Sequence, residues 1–85
     1  MIHLNNICLL SQLSEGESGI VKRINLKGSM RRRLQDLGLI CEMEIKCLFK
    51  NVKGNVSAYN IRDAVIALRN NDSSLIEIEK QGLGG

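Results

Sequence analysis

The chain has 85 residues, enough for one small domain with a modest hydrophobic core. Twelve basic against nine acidic residues give a net charge of +3, which is small for a nucleic-acid-binding protein. Hydrophobic residues make up 44% of the chain, and no apolar run approaches the roughly 18 residues that a membrane helix needs. Composition therefore excludes a second domain and a membrane-spanning helix.

The two ends of the chain contain little that predicts regular structure. Residues 1–9 include hydrophobic residues but neither a basic leader nor a small-residue cleavage site, so we expect a poorly defined N-terminal extension of a cytosolic protein. Residues 80–85 are rich in glycine and have too little to bury, which predicts a disordered tail. The folded domain is expected at residues 10–79.

The first clear element is a strand that follows the glycine-rich turn at residues 16–19. Ile20, Val21 and Ile24 are β-branched residues, which favour a pleated, half-buried surface. This pattern predicts the first strand of a sheet.

A short amphipathic helix is predicted after this strand. Its apolar face consists of residues three or four positions apart: Leu26, Met30, Leu34 and Leu37. Arg31 and Arg32 are expected to point away from that face, and Arg33 flanks it. Gly38 is placed to end the helix in a left-handed conformation, with Leu39 folding back as in a Schellman motif.

From residue 43 onward the sequence predicts a sheet. Met43, Ile45, Cys47 and Phe49 alternate with Glu44 and Lys46, and we place Phe49 in the core. A glycine-containing loop at residues 51–55 leads to a partner strand at residues 56–61. A tight reversal at residues 62–63 then leads to another strand at residues 64–69. A turn or single helical turn at residues 70–74 precedes the closing strand at residues 75–79. Five short strands with one helix between the first and second fit a small barrel.

Four segments, in their order and spacing, resemble the family of ferrous iron transport protein A. They are residues 10–13, 16–21, 33–40 and 66–69, and the resemblance spans roughly residues 10–79. It implies a mainly β protein, a small SH3-like β-barrel of about five strands with one short α-helix between strands 1 and 2. It also implies a regulatory protein that performs no chemistry and binds the cytosolic domain of a membrane ferrous iron transporter, whose own nucleotide-binding domain hydrolyses the nucleotide.

The chain departs from the family pattern at two turns. Where the family usually carries an acidic residue and then glycine, this chain has Cys41 and Glu42. The reversal before the strand at residues 64–69 usually ends in glycine, and here it ends in Asp63. We expect the same chain path at both turns, either with more strain from left-handed residues that are not glycine or with a slightly different turn type.

The residues that carry chemistry are few. The only histidine, His3, lies outside the matched region, so no histidine-based general base is available in the domain. The carboxylates are scattered, and the sequence lacks a glycine-rich phosphate-binding loop. Cys8, Cys41 and Cys47 contain no Cys-x-x-Cys pair, which predicts reduced and mostly packed thiols. We expect no catalytic residue, no metal site and no cofactor.

The arginine run at residues 31–33 is either a solvated helix face or a basic contact for an acidic patch on a partner. The helix's apolar face is expected first to pack on the core and only secondarily to form a partner groove. On the second interpretation, the partner contacts are predicted around the helix and its entry loop, at Leu26, Lys27, Met30, Arg31 and Arg33. Self-association through the same surface stays open, as does peripheral attachment at the inner membrane through the partner.

Two alternative functions stay open. One is a nucleic-acid-binding barrel. Phe49 and Tyr59 are the only aromatic residues of the chain, and binding of single strands would need more of them for base stacking. We therefore expect no nucleic-acid partner. The other is a free-standing sensor domain related to the C-terminal domain of iron-dependent repressors.

Overall fold

The computed structural model describes residues 6–51 and 53–81 of the chain. These residues form six strands and two short helices, in the order β1 (Ile7–Leu9), β2 (Ser18–Ile24), α1 (Gly28–Asp36), β3 (Glu44–Lys50), β4 (Val56–Ile61), β5 (Ala64–Arg69), α2 (Asn70–Ser73) and β6 (Ile76–Lys80). A 3-10 turn, Leu10–Gln12, follows β1. The prediction of a mainly β chain with a short helix is confirmed.

All strand pairs are antiparallel, and the spatial order of the sheet is β1-β6-β2-β3-β4-β5. The described sheet has six strands rather than about five, because β1 adds to the five that were predicted. Helix α1 consequently connects the second and third strands. The order ends at β1 and β5, so the described strands curl into a barrel that stays open between these two edges.

The sheet extends beyond the predicted domain boundaries. Residues 7–9 of the predicted extension pair with β6, and Lys80 of the predicted tail is the last residue of β6. The sequence did not reveal β1 because three apolar residues are too few to show an alternating pattern. Asn6 and Gln81 are also bonded to the sheet, since the Lys80 N–H donates to Asn6 O and the Gln81 N–H donates to Ser18 O; residues 1–5 and 82–85 lie outside the described residues.

The core is formed by the inward side chains of the strands together with residues from the turns and α1. Its fully or nearly fully buried members are Leu10, Leu13, Val21, Leu26, Leu34, Leu39, Ile45, Cys47, Tyr59, Ile61, Ile66, Leu68, Ile76 and Ile78. Burial of this apolar surface drives folding. Strands β2 and β6 approach so closely that a Cβ on Gly19 would lie 2.9 Å from the backbone carbonyl oxygen of Glu79. Only glycine fits at this position without a shift of the strands.

The position of Phe49 differs from the prediction. A β-bulge interrupts the pairing of β3 with β4 between Cys47 and Phe49, so that Leu48 is the extra residue. Because an extra residue breaks the two-residue period, consecutive side chains, Leu48 and Phe49, both face solvent with exposures of 40% and 55%. The prediction that Phe49 lies in the core is wrong.

Helix α1 ends as the sequence predicts. Gly38 has a φ of +109°, its N–H donates to the Gln35 carbonyl, and the Leu39 N–H donates to the Leu34 carbonyl, each at 2.9 Å. These are the two hydrogen bonds of a Schellman motif, and the side chains of Leu34 and Leu39 are buried in the same core. The prediction of this stop is confirmed.

The two unusual turns differ in outcome. Glu42 has a φ of +71°, which confirms the prediction of a left-handed residue other than glycine at this turn. In the β4–β5 turn the positive φ, +55°, belongs to Arg62 and not to Asp63. The expected strain at Asp63 is therefore not found, because a two-residue turn with a positive φ only at its first position has the sign pattern of type II′.

The three cysteines are unpaired thiols in different surroundings. Cys47 is buried, Cys8 is half-buried, and burial raises the pKa of both thiols, which keeps them protonated at neutral pH. Cys41 is exposed, so the expectation of packed thiols is wrong for this residue.

Candidate functional site

A groove of about 270 Å³ lies between α1 and β5. Leu34 anchors the helix because its side chain is buried in the core, and its neighbours one turn away on either side, Met30 and Leu37, form the apolar wall. Arg33 lies at the rim of the same wall. The helix therefore offers a partner an apolar surface with a guanidinium beside it.

Strand β5 forms the opposite wall of the groove with residues 65–68. Ile66 and Leu68 point into the core, whereas Val65 and Ala67 lie on the exposed face, where Val65 is 64% exposed. A strand with solvent on one face normally alternates apolar with polar residues. The apolar residues on the exposed face of β5 therefore form an apolar surface that the described chain does not cover.

The ion pairs of the described residues join carboxylates to lysines and not to arginines. In the described part of the chain the ion pairs are Lys22–Glu42 at 3.1 Å, Lys22–Glu79 at 3.5 Å and Lys80–Glu17 at 2.8 Å, and none involves an arginine. The hydrogen bond from Lys80 lowers the pKa of the Glu17 carboxyl. Arg33 at the groove, Arg62 beside Gly38 and Arg69 at the end of β5 outnumber the carboxylates of the same segments, Asp36 and Asp63, so this region keeps a small positive charge.

The structure distributes the predicted contact residues over different environments. Met30 and Arg33 line the groove, and Lys27 is exposed at the start of α1. Leu26 is only 2% exposed and belongs to the core. Its side chain offers no surface to a partner.

Arg31 has a structural contact that the sequence did not reveal. Its Nη1 atom donates to the carbonyl oxygens of Ile24 at 2.7 Å and of Leu26 at 3.3 Å. Arg31 was predicted only to point away from the helix's apolar face, and its guanidinium in fact reaches back to carbonyls of the loop that enters α1. Arg31 fastens this loop to the helix.

Sequence reasoning missed the half of the groove that β5 provides. The available indication was the uninterrupted apolar run at residues 64–68, since a strand that is apolar on both faces must be covered on both or expose one of them. Leu37 was recognised as part of the helix's apolar face and lies at the groove with 38% exposure.

The described residues show no other arrangement with an evident chemical role. No group of three or more histidine, cysteine, aspartate or glutamate residues among them could hold a metal ion. No helix in the described ranges is both long and apolar enough to cross a membrane.

Comparison with solved structures supports a shared fold. The FeoA protein from Chlorobium tepidum superposes with a TM-score of 0.81 at 27% identity, over 87% of this chain and 70% of that one. A FeoA-like protein from Clostridium acetobutylicum gives a TM-score of 0.81 at 21% identity, over 96% and 95% of the two chains. A manganese-dependent transcriptional repressor gives 0.79 at 17% identity, over 95% of this chain but only 45% of the repressor, which shows similarity of fold alone.

These superpositions confirm the predicted small SH3-like architecture. Among curated proteins, none matches this sequence. The model of the FeoA domain family matches residues 8–80, which is most of the chain. The protein therefore belongs to the FeoA domain family.

Proposed function

We propose that this protein is a non-enzymatic accessory protein of ferrous iron uptake that binds the cytosolic part of a membrane-embedded ferrous iron transporter. Membership of the FeoA family supports the link to ferrous iron transport. The observation that carries the binding role is the groove between α1 and β5, which combines uncovered apolar side chains with arginines that have no ion-pair partner among the described residues.

The proposed mechanism is regulatory. Binding shifts the transporter between conformational or assembly states by as much as the protein's affinity differs between those states. Nucleotide hydrolysis belongs to the transporter. The protein acts in the cytoplasm and reaches the inner membrane only through this partner.

A titration of the isotope-labelled protein with the transporter's soluble cytosolic domain, with and without nucleotide, tests the proposal. We expect amide chemical shifts to change at both walls of the groove, around Met30, Leu37 and Val65. The absence of changes under both conditions would contradict the proposal.

A charge-reversal pair distinguishes the groove from a general effect of net charge. Arg33→Glu is expected to weaken binding at least about tenfold, with an unchanged melting temperature, because Arg33 is exposed at the groove. Lys53→Glu makes the same charge change at an exposed loop on the hairpin between β3 and β4 and is expected to bind like the wild type. Equal losses in both variants would show that only net charge matters. Arg31 is unsuitable for this test because its guanidinium holds the entry loop.

A further inference from the structure

We propose that the partner segment binds in an extended conformation and pairs with β5 as an additional strand, with acidic side chains directed to the arginines at the groove. This inference rests on the proposed function for the existence of a partner, and it adds the conformation and the charge of the segment that binds.

The hydrogen-bonding pattern of β5 shows which backbone groups are available. Asn70 N donates to Asn55 O at 3.0 Å, in register with the β4–β5 ladder. In an antiparallel pair alternate residues face the neighbouring strand, so the even-numbered residues of β5 bond to β4. The N–H and C=O groups of Val65, Ala67 and Arg69 therefore point away from β4, and no described strand lies on that side.

The other edge of the sheet is less available. Lys80 N donates to Asn6 O at 2.9 Å, so the outward residues of β1 are Ile7 and Leu9. The N–H of Leu9 already donates to Gln12 Oε1 at 2.7 Å. Strand β1 has three residues and one of its two outward N–H groups is bonded, whereas β5 has six residues and no such bond among the described ones.

An added strand also accounts for the apolar side chains at the groove. Side chains of a strand alternate between two faces, so one set would enter the groove against Met30 and Leu37 while the other lies beside Val65 and Ala67. Main-chain hydrogen bonds then supply affinity, and the groove selects apolar residues at alternate positions. A captured helix would leave the outward N–H groups of β5 without partners.

The charges favour an acidic segment over a second copy of this chain. Arg62 and Asp63 precede β5, Arg69 ends it, and Arg33 lies across the groove, so guanidinium groups outnumber carboxylates along β5 and the groove. A second copy of this chain carries a net charge of +3, so its approach to this surface would bring two positively charged molecules together. In an extended partner whose apolar side chains enter the groove, carboxylates on the outer face would pair with Arg69, and a carboxylate at the rim of the groove would pair with Arg33.

Synthetic peptides test the backbone pairing without altering the protein. The probe is a capped octapeptide in which valine alternates with glutamate, and a version with lysine in place of glutamate is the charge control. Two further versions carry N-methyl groups on all valines or on all glutamates. In a strand the N–H groups of these two sets point to opposite edges, so only one set can donate to β5.

We expect the glutamate peptide to bind and the lysine peptide to bind at least about tenfold more weakly. One N-methylated version should lose at least about tenfold in affinity while the other binds normally, since several hydrogen bonds are lost in only one of them. Amide hydrogen exchange should slow at Val65, Ala67 and Arg69. Equal binding of both N-methylated peptides, or protection confined to other residues, would overturn the proposal.

Two proline variants apply the same test to the transporter's cytosolic domain. Ala67→Pro removes an outward N–H from β5, and Ile7→Pro removes one from β1, while the ladders to β4 and β6 keep their hydrogen bonds. Only the first should weaken binding, by about tenfold or more. If the cytosolic domain binds both variants like the wild type, strand pairing is overturned and the proposed function stands. If the domain does not bind the wild type but the glutamate peptide pairs with β5, the proposed function fails and the pairing stands.

Discussion

At the scale of single residues, Arg31 and Arg33 lie two positions apart and have different roles. Arg33 reaches the groove, whereas Arg31 donates from Nη1 to two carbonyls of the loop before α1. Arg31→Ala is expected to lower the free energy of unfolding by about 1–2 kcal/mol, because charged hydrogen bonds are lost from a half-buried site. Arg32→Ala removes a neighbouring, exposed arginine and should change it by less than about 0.5 kcal/mol. Urea denaturation measures both; equal losses would mean that the Arg31 contact contributes nothing.

The same scale shows where prediction from sequence fails. Alternation predicts inward positions such as Ile45 and Cys47 correctly, because burial follows the period of the strand. Phe49 was misplaced because a bulge adds one residue, Leu48, to one strand, and an apolar residue at this position does not by itself show that the period shifts. The role of Arg31 was missed because a long side chain can contact a loop whose path the sequence does not define.

At the scale of elements, the Schellman motif at Gly38 ends α1 and sets the direction in which the chain continues towards β3. Gly38→Ala is expected to lower the free energy of unfolding by about 1–2 kcal/mol, because φ is +109° and the new Cβ would lie 3.2 Å from Arg62 Cδ. Gly54→Ala is the matched control: φ is +74°, and nothing lies within 4 Å of the new Cβ. The loss should be larger at Gly38, as chemical denaturation can determine. A loss at Gly54 as large as that at Gly38 would show that the contact with Arg62 adds no cost.

Elements were easier to predict from sequence than the groove that they form. The helix, its stop and five strands follow from local patterns, and half of the groove, Met30 and Arg33, was included in the predicted contacts. The other half lies on β5, more than 30 residues further along the chain. That β5 ends the sheet beside α1 depends on the pairing order of all strands, and local patterns do not determine this order.

At the scale of the whole molecule, the pairing of β1 with β6 joins the start of the described chain to its last strand. Ile7, Cys8 and Leu9 pair with Glu79, Ile78 and Glu77, and Cys8 packs against the core. Deletion of residues 1–9 is expected to lower the free energy of unfolding by about 1–3 kcal/mol, because β6 loses its neighbour and part of its hydrogen bonds. Deletion of residues 1–5 leaves the whole of β1 in place.

The comparison of these two deletions tests the boundary of the domain. The shorter deletion should change the unfolding free energy by less than about 0.5 kcal/mol and leave hydrogen exchange in β6 slow. The longer one should make the amides of residues 76–80 exchange faster, since β6 then becomes an edge strand. If both shortened chains unfold at the same denaturant concentration, residues 7–9 contribute no stability, and the domain begins at residue 10, as the sequence alone predicts.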